Sequence, residues 1–134
     1  RIHFREELNN YGHEDTLLGY DLYSEGLMPV HIDNPVEHTG LEDSEVFLQK
    51  TREALKNLRF ITKNILTDKK DFNDHVRFLN KYNRLTSVLP AVFPELFYGL
   101  FNKAMEKNLT GKNPNLLLYD LYKLAYYGSI SRVP

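Results

Sequence analysis

The sequence contains no cysteine. This absence excludes disulfide bonds, thiolate metal sites and cysteine nucleophiles from the chemistry of the chain. Any metal ion that the chain binds must therefore be held by histidine, aspartate or glutamate side chains.

Long apolar runs and a strong net charge are also missing. The longest aliphatic run covers residues 116–118, far short of the roughly 20 residues that a membrane-spanning helix needs. The 17 basic and 18 acidic residues are spread along the chain and give a formal net charge of -1. That balance does not produce the basic surface of a nucleic-acid-binding protein. We expect neither a spanning segment nor a nucleic-acid partner.

The size and composition are those of one globular domain. The chain has 134 residues, of which 42% are hydrophobic and 26% are charged, enough for a real core. It opens with Arg1 rather than with methionine. We therefore expect an excerpt from a longer protein, with part of any active site located elsewhere in that protein.

Apolar residues recur at three- and four-residue steps along most of the chain and predict five helices. These helices cover residues 14–25, 44–66, 72–85, 96–105 and 113–128. Alternating Met28, Val30 and Ile32 predict one short strand over residues 27–32. The predicted fold is mainly α with a small β element, and a polar cluster at residues 67–71 separates residues 1–67 from a helical extension, residues 68–134.

Four residues, Gly12-His13-Glu14-Asp15, carry the best candidate chemistry. Two adjacent carboxylates follow a glycine at a predicted helix start, where free backbone N–H groups and the helix dipole favour their ionised form. A carboxylate in this position can accept a proton from an attacking hydroxyl. Acids in a first turn commonly do no more than stabilise the helix, so that alternative stays open.

Four separated blocks of sequence, including this one, resemble a known enzyme family. They are FREE at residues 4–7, YGHEDTLLGY at 11–20, HIDNPVEH at 31–38 and GLED at 40–43. In order and spacing they resemble the final third of bacterial family 2 glycosyltransferases, in particular Bacteroides-like enzymes of surface polysaccharide synthesis. The resemblance covers residues 1–66 and extends more loosely over the helical tail.

The resemblance implies the carboxy-terminal portion of a GT-A α/β domain followed by a helical tail. The full-length enzyme would be cytoplasmic, at the inner face of the inner membrane with peripheral membrane association. It would transfer sugar from a nucleotide sugar to a glycan or lipid-linked acceptor with inversion, using Mn or Mg. The Asp-x-Asp metal motif of the nucleotide-binding half is not in this chain. We therefore expect the chain by itself to be inactive, without a bound metal, and self-associating through surfaces that the other half normally covers.

The resemblance also assigns roles to individual residues. Asp15 matches the catalytic base, and Glu14 matches the neighbour that binds or orients the acceptor. Further acceptor-binding positions are His13, Gly12 and Tyr11. The histidine after the predicted strand, His38, matches a metal ligand.

Two other functions are kept as alternatives. The helices could form a non-catalytic interaction module whose apolar stripes dock a partner. A metal-dependent hydrolase is also conceivable from His13, Asp15, His31, Asp33 and His38, although these lack a ligand spacing such as His-Glu-x-x-His. The aromatic residues of the tail are interpreted as core or interface, with a sugar-stacking platform as the alternative; they are Phe93, Phe97, Tyr98, Phe101, Tyr119, Tyr122, Tyr126 and Tyr127.

Overall fold

The computed structural model describes residues 2, 8, 11–37, 40, 42–90 and 92–130, and within these ranges the chain forms helices and no strands. A π-helical turn, Ile61–Ile65, extends the second helix. The six α-helices are α1 (Glu14–Ser24), α2 (Ser44–Phe60), α3 (Lys69–His75), α4 (Arg77–Val88), α5 (Phe93–Leu109) and α6 (Leu116–Ser129).

Local capping chemistry explains several helix starts. The Asp68 carboxylate accepts hydrogen bonds from the backbone N–H groups of Lys70 and Asp71, both at 3.1 Å, and begins α3. The Asn115 side chain does the same for the second and third residues of α6, at 2.9 and 3.2 Å. Pro94 occupies the first turn of α5, where its missing N–H costs no intrahelical bond.

The prediction of a mainly α fold is confirmed, but the predicted strand is wrong. Residues 27–37 form no regular structure, and Met28, Val30 and Ile32 are 83%, 86% and 76% exposed. An alternating segment becomes a strand only where another strand satisfies its backbone groups and a core covers one of its faces. The described ranges supply neither. None of the helices they contain is long and apolar enough to cross a bilayer.

Two predicted helices are each divided. Residues 44–66 split where α2 passes into the π-helical turn. Residues 72–85 split at Val76, whose backbone is extended (φ -84°, ψ 106°) between α3 and α4. The apolar residues keep helical spacing across both divisions, so the periodicity of the sequence does not show where either helix divides.

The larger core joins both parts of the sequence. One cluster of buried side chains contains Leu17 of α1, Leu58 of α2, Phe72 of α3, Leu79 of α4 and Tyr127 of α6. Residues on either side of position 67 therefore share one hydrophobic core. The boundary between residues 1–67 and 68–134 as functional parts stays a prediction.

A smaller core links α2 to the α5–α6 pair through Leu48, Met105, Leu109 and Tyr122. At its centre Tyr122 is fully buried, and its hydroxyl donates to the Glu106 carboxylate at 3.0 Å. The Arg52 guanidinium donates to both the Tyr122 hydroxyl and the Glu106 carboxylate, each at 3.0 Å. Burial raises the pKa of Tyr122 far above its usual range, so the hydroxyl stays protonated as a donor.

We predict that Gly128→Ala destabilises the fold and that Gly99→Ala does not. A Cβ at position 128 would collide with the Pro94 ring, which is rigid and buried, and such overpacking typically costs about 1–3 kcal/mol. A Cβ at the exposed position 99 of α5 meets no atom within 4 Å. It should stabilise the helix by about 0.5–1 kcal/mol. Urea unfolding measures both, and equal effects would contradict close α5–α6 contact at Pro94.

Candidate functional site

The segment before α1 is held against α2 by a close backbone contact. Gly12 has a φ of +96°, and a Cβ at this position would lie 2.6 Å from the Ala54 Cβ. The Gly12 carbonyl accepts a hydrogen bond from the amide of Asn57, which is 1% exposed. Both the left-handed backbone and the close approach require glycine here.

His13 precedes α1 in a left-handed conformation, with φ 68°. Its carbonyl accepts the N–H of Leu17 at 3.0 Å, and its ring Nδ1 lies 3.2 Å from the Thr16 hydroxyl. Burial lowers the pKa of His13 below 6.5, although the nearby Asp15 and Glu14 carboxylates act in the opposite direction. The imidazole is therefore neutral at pH 7 and can both donate and accept a hydrogen bond.

The two adjacent carboxylates occupy different environments. Asp15 is exposed, and its Oδ1 accepts the N–H of Thr16 at 2.7 Å in the first turn of α1. Glu14 is half-buried, and its Oε2 is buried without a hydrogen-bond partner among the described residues. Asp15 thus satisfies one backbone N–H in the first turn of α1 and still faces solvent. Glu14 has an acceptor oxygen available for a donor from outside the described residues.

A pocket of about 310 Å³ opens beside this segment. The Phe47 and Tyr119 rings meet on its wall with their centroids 5.6 Å apart. We call it the aromatic pocket; its lining residues are Tyr11, His13, Glu42, Phe47, Lys50, Thr51, Ala54, Leu55, Phe78, Tyr119 and Lys123. Flat rings with a few polar groups are typical of small-ligand sites.

Polar groups fix the rim of the aromatic pocket. Lys50 forms an ion pair with Glu42 and lies 5.4 Å from the centre of the Tyr11 ring. The hydroxyls of Thr51 and Tyr119 are hydrogen-bonded at 2.9 Å and tie α2 to α6. These groups can hydrogen-bond a polyhydroxylated ligand while the rings cover its apolar faces.

The structure brings only some of the predicted site residues together. Tyr11 and His13 line the aromatic pocket, and Gly12 lies between them with its carbonyl directed to α2. Glu14 and Asp15 follow at the start of α1 without lining the pocket. Their roles in catalysis and those of Tyr11, Gly12 and His13 in acceptor binding stay predictions.

The predicted metal ligand, His38, lies outside the described residues. Within the described ranges, no group of three histidine, aspartate or glutamate side chains is placed to hold a metal ion. The Mn or Mg of the full-length enzyme stays an expectation from the resemblance.

Sequence reasoning did not identify most of the pocket wall. Phe47 belongs to the apolar stripe that predicts the second helix, yet its side chain is 51% exposed. Phe47, Thr51 and Ala54 are spaced by four and three residues, which places them on one helix face. That pattern does not distinguish a pocket wall from a core. Tyr119 belonged to the aromatic tail for which a sugar-stacking role was the alternative.

We predict that His13 makes stability depend on pH just below neutrality. Since its folded pKa lies below the unfolded value of 6.5, the unfolded chain binds the proton more readily, and stability is lost as pH falls below about 6.5. His13→Asn, which tolerates a positive φ, should remove this part of the loss. Urea unfolding at pH 7.5 and 5.5 measures this loss of stability. The control is His75→Asn, which replaces an exposed histidine and should show the same loss as the original chain.

Comparisons with protein-family models, with curated proteins and with solved structures gave no match to this chain. A functional assignment therefore depends on the four sequence blocks and on the geometry around the start of α1. No relative or structural neighbour contributes to it.

Proposed function

We propose that this chain is the acceptor-side segment of an inverting, nucleotide-sugar-dependent glycosyltransferase of the GT-A type, acting in surface polysaccharide synthesis. One observation carries the proposal. Tyr11 and His13, which belong to the block that resembles family 2 enzymes, line the aromatic pocket, and the exposed Asp15 carboxylate begins α1 two residues later. A sugar-sized pocket and a candidate base are thus neighbours along the chain.

In the proposed reaction, the aromatic pocket holds the acceptor glycan. The Asp15 carboxylate removes the proton from the acceptor hydroxyl as its oxygen attacks the anomeric carbon of the donor. The new glycosidic bond forms on the face opposite the breaking bond to the nucleoside diphosphate, which departs with its electron pair. The anomeric configuration is therefore inverted. The neutral imidazole of His13 and the side chain of Glu14 orient the acceptor.

The donor half is supplied by a part of the full-length enzyme that this chain does not contain. A divalent ion bound there would stabilise the charge of the departing diphosphate. In this proposal the described residues contribute acceptor binding and proton transfer. We therefore expect the chain by itself to be inactive.

A second candidate function is a helical interaction module. It is favoured by the outer face of α5, where four large apolar side chains are exposed: Phe93, Leu96, Leu100 and Phe101, at 43%, 58%, 78% and 47%. Exposed apolar patches of this kind often contact another protein surface. In this alternative, Asp15 only stabilises the first turn of α1.

A transfer assay on the full-length enzyme with Mn or Mg and a panel of UDP- and GDP-sugars separates the two functions. Asp15→Asn keeps the side-chain shape and removes the base, so kcat should fall about 10²–10⁴-fold with little change in acceptor KM. The control is Glu25→Gln, which removes an exposed carboxylate just after the other end of α1 and should retain activity. An unaffected Asp15→Asn enzyme would refute the base assignment. Turnover of no donor at all would favour the interaction module.

A further inference from the structure

A second pocket, of about 500 Å³, lies between α4 and α6 and concentrates positive charge. Arg77, Lys81 and Arg84 follow one another on successive turns of a single α4 face, and Lys123 adds a fourth cation from α6. We call it the basic pocket; its lining residues are Asp74, Arg77, Phe78, Asn80, Lys81, Arg84, Asp120 and Lys123. Four cations face two carboxylates there, although the whole chain has a formal net charge of -1.

Neither Asp74 nor Asp120 forms an ion pair with Arg77 or Arg84 in the part of the chain that the structure describes. Asp120 is bound to Lys123 at 2.8 Å and to Lys81 at 3.5 Å. The hydrogen bond from Lys123 keeps the pKa of Asp120 below its usual range, so this carboxylate belongs to the lysines. Arg77 and Arg84 are exposed and form no ion pair within the described ranges. Their guanidinium groups remain available to an anion, and such groups suit the paired oxygens of a phosphate.

The basic pocket and the aromatic pocket adjoin one another. Phe78 and Lys123 line both of them. The Lys123 ammonium lies 4.4 Å from the centre of the Tyr119 ring. It is therefore located at the boundary between the aromatic pocket and the basic pocket. A ligand that spans this junction would place a ring on Phe47 and Tyr119 and a negative charge beside Arg77 and Arg84.

We propose that the two pockets form one groove for a phosphorylated glycan, with the sugar ring in the aromatic pocket and the phosphate or diphosphate in the basic pocket. The identification of this ligand as the acceptor rests on the proposed glycosyltransferase function, and binding itself does not. The acceptor is then a glycosyl phosphate or a glycan linked to its carrier through phosphate. Neutral free glycans would occupy only half of the groove.

Calorimetric titration of the chain tests the groove with three probes: glucose 1-phosphate, inorganic phosphate and glucose. Glucose 1-phosphate should bind at least about tenfold more tightly than either component, since only it fills both pockets. Its affinity should also weaken as salt rises, because its phosphate is held by exposed charges. Absence of binding, or phosphate alone binding as tightly as glucose 1-phosphate, would overturn the proposal.

Substitutions assign each part of the ligand to its pocket. Arg77→Gln with Arg84→Gln should reduce affinity for glucose 1-phosphate at least about tenfold. Phe47→Leu should weaken glucose 1-phosphate and leave the binding of inorganic phosphate unchanged. The matched control, Lys63→Gln with Lys103→Gln, removes two exposed cations outside the groove and should bind as the original chain does.

Circular dichroism and thermal unfolding establish that each variant is folded before its affinity is compared. Equal loss in the arginine variant and the lysine control would show a general charge effect and refute the site. The transfer assay reports separately on the proposed function. If glucose 1-phosphate binds as described but the full-length enzyme transfers no sugar, the groove is supported and the glycosyltransferase function is refuted. If the enzyme transfers sugar but binding does not depend on phosphate, the function is supported and the groove is refuted.

Discussion

The fold depends on the burial of one tyrosine hydroxyl. Tyr122 is fully enclosed by α2, α5 and α6, and a buried hydroxyl without a partner is costly. The Tyr122 hydroxyl donates to Glu106 and accepts from Arg52, and Arg52 also donates to Glu106. Three helices therefore meet at one group of hydrogen bonds. Because α6 also contributes Tyr126 and Tyr127 to the larger core, its position at this set determines where the two hydrophobic clusters join.

That arrangement also places both pockets. The aromatic pocket lies where α6 packs beside α2, and the basic pocket lies where the same helix packs beside α4. Tyr119 and Lys123 are one turn apart on α6, on the side away from the α5 contact at Gly128. One helix therefore presents an aromatic ring and an ammonium group to adjoining cavities.

The sequence predicts the helices well and the site incompletely. The start of α2 at residue 44 was predicted correctly. By contrast, α5 begins at Phe93, before the predicted residue 96, and α6 begins at Leu116, after the predicted residue 113. The break at Val76 and the π-helical turn keep apolar spacing, and the strand over residues 27–32 failed because strands depend on distant partners. Among site residues, Tyr11 and His13 were found because they adjoin a recognisable block. Phe47 and Lys50 come from α2 and Lys123 comes from α6, and only the fold brings the two helices together.

The contact between Gly12 and Ala54 couples the loop before α1 to the middle of α2. The space between them has room for the glycine hydrogen and the alanine methyl group but not for a second methyl group. The side-chain amide of Asn57, also on α2, donates a hydrogen bond to the Gly12 carbonyl. During evolutionary divergence, position 12 must stay glycine because of its positive φ, and a larger side chain at position 54 would collide with the loop. Glycine at position 12 and a small residue at position 54 should therefore be retained together among homologues, even where the surrounding sequence has drifted.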